Sequence, residues 1–406
     1  MQMLLKIAFR NIFRQKRRTI LTALTMFGGF TLAAISIGWS DGTYSYIIDL
    51  FTRNRLGHIQ IHGRGYLDKP SLYNTIDDYA TVGEKIQRVA GVEAWAPRLF
   101  SAGLVSVAEK STGAQIIGID PELEAKATRF DKKIVEGQHF SKRPVHQAIL
   151  GRGLAKVLHA QLGDEIVVVS QAADGSIAND LYTIIGIVES DDGLSDRMAF
   201  YLHLQEAQTL LALGERIHEI VIIAKNLDGV KALTTTVARA LDNPKLEVAP
   251  WQEFAKPFYQ AMKADQRGMW ISLFVIILIV AVGVLNTVLM SVLERTREYG
   301  VLKAVGTKPS QIFWLVICEV SLLALASVVV GIGLSLVINY ALSKSGIPMP
   351  TSFTYGGIEF SRMYTEINAR SLYIPALTVM LSAVFVSLFP SLRAARIEPA
   401  KAMRMH

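Results

Sequence analysis

Four stretches of this chain are long and apolar enough to cross a hydrocarbon core, and no other feature limits the possible folds so strongly. A crossing helix needs about 20 consecutive, mostly apolar residues at about 1.5 Å of rise each. Residues 19–39, 268–293, 313–343 and 371–392 meet that requirement, and only the third stretch holds a charged side chain, Glu319. A chain that is 51% apolar and 19% charged, with its apolar residues gathered into such blocks, is not expected to be purely soluble. The first stretch is not expected to be a cleaved secretory signal, because it is too long, eighteen residues precede it and no small-x-small site follows. The single cysteine, Cys318, lies in the third stretch, so an intrachain disulfide is impossible.

Charge beside the spans sets the expected orientation, since Lys and Arg are disfavoured on the translocated side. Residues 1–18 carry Lys6, Arg10, Arg14, Lys16, Arg17 and Arg18 with no acid. Residues 294–308 carry four bases against two acids, and 393–406 carry four against one. Residues 40–267, by contrast, hold 25 bases and 29 acids. Both termini and the short segment 294–312 are therefore expected in the cytoplasm, with 40–267 and the short piece 344–370 outside. The formal net charge of +7 reads as topology, with some attraction of the N-terminal bases to anionic lipid. It does not read as nucleic-acid binding, because no basic stripe is interleaved with aromatics.

The expected fold class is a membrane protein of four transmembrane helices, one plus three, with a large mixed α/β extracytoplasmic domain inserted between helices 1 and 2. Residues 4–13 alternate apolar side chains with bases as an amphipathic helix would, suited to the inner membrane surface. Tyr44, Ile47, Ile48 and Phe51 continue the helical spacing beyond the first span, and Phe254, Phe258 and Met262 precede the second at i, i+4. Two helical stalks would then frame the exterior domain; ordinary core-facing helices of that domain would give the same spacing. Between them, strands are expected at 57–62, 103–108, 115–119, 165–170, 182–189, 219–224 and 246–249, and helices at 79–89, 154–159 and 229–241. This alternation suggests two lobes. In 344–370, Pro348, Pro350 and Gly356-Gly357 mark a loop or small hairpin.

No catalytic constellation stands out. His58 and His62 would lie about 13 Å apart along a strand, too far to share a zinc ion, and are expected as half-exposed residues of an edge strand. Gly151-Arg152-Gly153 resembles half of a phosphate loop, but no Gly-Lys-Ser/Thr follows it and the chain has no Walker motif. If ATP drives this protein, another polypeptide binds it. Glu319 would cost on the order of 2 to 3 kcal/mol if left unpaired in the span. With no second charged residue in the spans to form a relay, contact with a cytoplasmic base is expected. Gly283, Thr287 and Ser291 recur every four residues on the second span, as do Ser327, Gly331 and Ser335 on the third. Such small faces let helices approach closely, within the chain or with a second permease subunit.

The segment 294–306, Glu-Arg-Thr-Arg-Glu-Tyr-Gly-Val-Leu-Lys-Ala-Val-Gly, closely resembles the signature of the FtsX-like/MacB-like ABC transporter permease family, with Tyr299 where isoleucine is usual. Ala8-Phe-Arg-Asn-Ile-Phe-Arg14 and Lys16-Arg-Arg18 resemble the family's first helix, and the run 394–404 resembles its C-terminal tail. Gly91-Val92, Ala96-Pro97-Arg98, Leu150-Gly-Arg-Gly-Leu-Ala155 and Leu162-Gly-Asp164 resemble its periplasmic core domain. Size and span arrangement are most similar to the lipoprotein-releasing permeases of the LolC/LolE type. The resemblance implies a non-catalytic permease of the bacterial inner membrane that binds no cofactor itself. Its partners would be a dimer of soluble ABC ATPases that binds ATP and Mg, a second permease subunit (identical or paralogous), lipoprotein cargo and a periplasmic acceptor. Coupling to the ATPase would fall to Glu294, Arg295, Arg297, Glu298, Tyr299, Gly300, Lys303, Ala304 and Gly306, with force passed mechanically to the exterior domain. A MacB-type exporter of peptides, toxins or antibiotics is the alternative transporter, and an FtsX-like scaffold controlling a cell-wall hydrolase is the alternative of another class.

Overall fold

The computed structural model of the protein describes residues 2–14, 16–190, 192–355, 358–399 and 402. The chain forms two compact units, one of residues 1–46, 262–349 and 362–406, the other of 47–261 and 350–361. Helices α1 (Gln2–Arg14) and α2 (Lys16–Phe51) open the chain. They are followed by β1 (Ile59–Gly63), α3 (Tyr79–Gln87), β2 (Val92–Val107), β3 (Lys110–Ile119) and α4 (Pro121–Thr128). Next come β4 (Ile134–Gly137), β5 (Gln147–Gly151), α5 (Arg152–Leu158), β6 (Glu165–Gln171) and β7 (Ile177–Val188). The exterior run ends with α6 (Gly193–Asp196), β8 (Ala199–His203), α7 (Leu204–Leu210), β9 (Glu219–Ala224), α8 (Val230–Leu241), β10 (Leu246–Pro250) and α9 (Trp251–Phe254). Helices α10 (Lys256–Glu294), α11 (Thr296–Ala304) and α12 (Pro309–Ser345), the hairpin β11 (Ile347–Tyr355) and β12 (Ile358–Met363), and α13 (Ala369–Ala395) complete it. The hairpin forms where the prolines suggested one, and Gly356-Gly357 lie outside the described residues.

Helices α2, α10, α12 and α13 each contain a window long and apolar enough to cross a membrane, and they carry the four apolar stretches of the sequence. In the first unit, Met26, Phe30 and Ala34 of α2 are buried among Val280, Val284 and Val288 of α10 and Ala324 and Val328 of α12. The small-residue faces are filled from within the chain. A Cβ on Gly283 would sit 2.7 Å from the Thr25 side chain, and one on Gly331 would sit 2.4 Å from the Phe30 ring. The Ser327 hydroxyl donates to the Ala23 carbonyl at 3.2 Å, while Ser335 is fully buried and bonds back to Ile332 of its own helix. Thr287 likewise bonds back to Gly283, and Ser291 is half-buried. Gly283, Ser327 and Gly331 thus meet α2 of the same chain. Gly331→Val is expected to destabilise the first unit by about 1–3 kcal/mol through overpacking against Phe30. Thermal unfolding in detergent measures this, and a midpoint equal to wild type would mean that the α2–α12 contact yields at no cost.

Helix α1 buries Ala8 completely and packs Ile7 and Ile12 on the same core, leaving Phe9 and Phe13 exposed and in edge-to-face contact at 5.1 Å. The first expected stalk is a continuation of α2, which carries Tyr44, Ile47, Ile48 and Phe51 without a break. The second differs from its expectation. Phe254 lies on the short α9, and the helix restarts at Lys256, with Pro257 at its second position, before Phe258 and Met262. Proline is tolerated in the first turn of a helix but not in its interior, which explains the break. Within the second unit Phe51 stacks on Phe258 with ring centroids 4.0 Å apart and planes at 9°.

Ten strands form one hydrogen-bonded sheet in the second unit. The 16-residue β2 organises it. The first part of β2 pairs with β9, which pairs with β1 and through it β10. The later part of β2 pairs with β3 on one edge and β6 on the other. From β3 the pairing runs through β8, β5 and β7 to β6 and so back to β2, closing a six-stranded ring. The two expected lobes are thus one sheet with a shared strand. Sequence reasoning missed β4, β5, β8, α4, α6, α7 and the first half of β2.

His58 and His62 are each 1% exposed, and β1 is paired on both sides, which overturns their placement as half-exposed residues of an edge strand. His58 Nδ1 accepts the Ala224 N–H at 2.9 Å. Burial pushes the His58 pKa down to about 4, aided by the nearby Arg53. A histidine whose folded pKa is depressed stabilises the fold fully above its unfolded pKa of about 6.5, and loses that contribution as pH falls toward the folded value. Unfolding of the second unit is therefore expected to grow easier between pH 6.5 and 4, by on the order of 3 kcal/mol from this group. His58→Asn, which keeps an acceptor and removes the titration, is expected to flatten that slope. An unchanged slope in pH-dependent unfolding would assign the acid sensitivity to other groups.

Candidate coupling site

The segment resembling the family signature forms a short helix held by polar contacts to three other parts of the chain. At the junction of α10 and α11, Arg295 is 6% exposed. Its Nη1 donates to Glu319 Oε2 at 2.8 Å and Oε1 at 3.2 Å, and its Nε donates to Glu298 Oε2 at 3.1 Å. The guanidinium carbon lies 5.2 Å from the centroid of the Tyr299 ring, which is itself 1% exposed. Burial works to discharge Arg295, but Tyr299, Glu319 and Glu298 outweigh it and hold its pKa above the ordinary arginine value. The base expected to meet Glu319 is thus Arg295.

Two arginines near the N-terminus add to the clamp. Arg14 pairs with Glu298 at 2.8 Å, and Arg18 pairs with Glu294. The other end of α11 is tied to the C-terminal segment. Lys303 Nζ donates to the Ala395 carbonyl at 3.1 Å and the Ile397 carbonyl at 2.8 Å, where the last carbonyls of α13 would otherwise lack partners. Gly300 faces Ala402 so closely that a Cβ would sit 2.7 Å from that methyl group. Gly306, at φ +102°, ends the turn in a conformation that L side chains rarely adopt. Its N–H donates to the Lys303 carbonyl at 3.0 Å, and Thr307 N–H donates to Leu302 at 3.0 Å. Lys308 N–H donates to Gln311 Oε1 at 2.9 Å and Pro309 starts α12, so the chain re-enters a helix at once.

What this clamp leaves outward is an apolar edge. Val301 is 46% exposed, Leu302 37% and Val305 84%, and Arg297, Ala304 and Gly306 are exposed beside them. The expected coupling residues therefore divide. Arg295, Tyr299 and Gly300 are buried and hold the helix, Glu294, Glu298 and Lys303 bind it to its neighbours, and Arg297, Ala304 and Gly306 face outward. Sequence reasoning missed Arg14, Arg18 and the Val301, Leu302, Val305 edge; three branched apolar residues in a charged, short loop were the available signal.

Residues 270–399 match the FtsX-like permease C-terminal family, and residues 19–240, more than half of the chain, match the MacB-like periplasmic core domain. The chain belongs to the FtsX-like/MacB-like ABC transporter permease family. It is 24% identical over 419 residues to the lipoprotein-releasing system transmembrane protein LolC of Neisseria meningitidis, covering 98% of each. It is 23% identical over 407 residues to the macrolide export ATP-binding/permease protein MacB of Campylobacter jejuni, covering 98% of this chain and 60% of that protein. Among solved structures, the periplasmic region of MacB from Actinobacillus actinomycetemcomitans aligns with 50% of this chain and 92% of its own, at 15% identity and a TM-score of 0.37.

Proposed function

We propose that the chain is a permease subunit without catalytic activity, driven by a separate ABC ATPase that seats on α11. The observation that carries this reading is the outward edge of Val301, Leu302 and Val305 on a helix whose opposite side is fixed by Arg295, Tyr299 and Lys303. An exposed apolar edge on a rigid support is what a docking partner requires, whereas a solvated loop would be polar. In this reading the four apolar helices cross the inner membrane as one plus three. Both termini and α11 are cytoplasmic and the second unit is periplasmic, as the distribution of Lys and Arg predicts. ATP and Mg are bound by the partner dimer, and closure of that dimer pushes on α11, which passes the displacement into α10 and α12. A second permease subunit is expected on faces that the chain leaves apolar and open, such as Ile271, Phe274, Leu278 and Ile279 of α10.

Release of lipoproteins from the membrane's outer face is the substrate reading we favour, because the likeness to LolC extends over the full length of both chains. A MacB-type export role is the second reading, favoured by the match of residues 19–240 to the MacB-like core domain. Mild extraction of the protein from its own membrane should recover an ABC ATPase with it. Depletion should then leave acylated proteins in the inner membrane. Normal lipoprotein distribution with altered drug sensitivity would favour export, and recovery of a cell-wall hydrolase with no ATPase would overturn the transporter reading.

A further inference from the structure

The second unit contains an open cavity of ≈ 1230 Å³, and its charge is unbalanced. Among the described residues its lining holds seven bases and three acids. The acids are already engaged. Glu189 takes Arg152 at 2.5 Å. Asp192 accepts the N–H groups of Leu194 and Ser195, both at 3.1 Å, and also takes Arg55. Asp196 accepts the Ser190 N–H at 2.8 Å and its hydroxyl at 2.6 Å. Lys132, Lys156 and Arg197 are exposed and have no acid in salt-bridge contact among the described residues. One wall is built by the Gly151-Arg152-Gly153 run. A Cβ on Gly151 would lie 2.2 Å from the Asp196 carbonyl oxygen, and one on Gly153 would lie 2.8 Å from the Arg197 backbone nitrogen. The glycines thus let α5 press against α6 and bring Lys156 and Arg197 onto the same cavity.

Beside these bases the lining exposes Val135, Val157 and Leu194, the last 73% exposed. Unpaired positive charge next to open apolar surface matches an anion with an apolar body. A free phosphate would fill a small part of this volume and make no use of the valines and the leucine. Leu50 of α2, also in the lining, adds to this apolar surface. We infer that this cavity binds the headgroup of an anionic phospholipid, its phosphate met by Lys132, Lys156 and Arg197 and the start of its acyl chains by Val135, Val157 and Leu194. The site does not depend on what the transporter carries.

The full-length protein in a neutral maltoside detergent can be titrated calorimetrically with dihexanoyl phosphatidylglycerol, dihexanoyl phosphatidylcholine and inorganic phosphate. Saturable binding of the glycerol lipid, at least tenfold tighter than that of the choline lipid and weakened by salt, is expected. The triple variant Lys132→Glu, Lys156→Glu, Arg197→Glu should weaken it tenfold or more. Lys85→Glu, Lys110→Glu, Lys225→Glu, a reversal of equal size at other exposed positions, should leave it unchanged. Should the reversal disturb folding, the corresponding Gln triple provides the same comparison. Equal affinity for both lipids, or insensitivity to the cavity variants, would overturn the inference. Inorganic phosphate binding as tightly as the glycerol lipid would also overturn it, by identifying a small-anion site.

Discussion

Arg295→Ala is expected to destabilise the first unit by about 3–5 kcal/mol, the cost of leaving one partner of a buried ion pair uncompensated. The pair qualifies as buried, since the Arg295 and Glu319 side chains are 7% and 16% exposed. Exposed pairs elsewhere, such as Arg88 with Glu84, would give at most about 1 kcal/mol. Removing Arg295 also removes the cation over Tyr299 and frees the first turn of α11. The fall in thermal midpoint in detergent should be largely reversed by Arg295→Met combined with Glu319→Leu, which removes both charges together. If the single variant melted with wild type, the pair would not be what holds α11 to α12. If the double variant stayed as unstable as the single one, packing by the arginine rather than its charge would be responsible.

Val305→Asp should separate docking from folding. A side chain 84% exposed supports nothing inside the unit, so the change in its own stability is expected to stay within about 0.5 kcal/mol. A carboxylate placed in an apolar docking edge would be desolvated without a partner. Its expected effect is at least a tenfold loss of affinity for the ATPase, or about 1.4 kcal/mol or more. Val301→Asp, on the same edge and 46% exposed, should act in the same direction. The measurement is recovery of the ATPase with the tagged variant, set beside its melting curve. Undiminished recovery with both variants would exclude this edge as the docking surface.

The four spans were legible because crossing a membrane demands long apolar runs that little else in a chain requires. The segment 294–306 was legible because its charges and glycines come in a fixed local order. The clamp around it was not. Arg14, Glu319 and Ala395 reach α11 and the Arg295 that precedes it from distant parts of the sequence, and local pattern carries no information about such contacts. Strands β5 and β8 went unseen because they are short and covered on both faces, so the alternation that marks a half-exposed strand is missing. The first half of β2 was obscured by Pro97, and the break between α9 and α10 by the regular spacing of Phe254, Phe258 and Met262. His58 and His62 were placed on the surface because polar residues on a strand usually face water. All five residues of β1 are buried.

The position of β1 has a consequence for how the protein is made. It is the first strand to leave the ribosome, yet its two neighbours are β9 and β10, residues 219–224 and 246–250. Until about 160 residues have followed it, Ile59 and Ile61 have no hydrogen-bonding neighbour, and the second one is completed only with β10. Strand pairings that close such long loops form slowly and leave edges open to misassociation. The interval between synthesis of β1 and of β10 is therefore when this protein would most need a holding chaperone, and slowed translation through that stretch should lower its yield more than slowing after it.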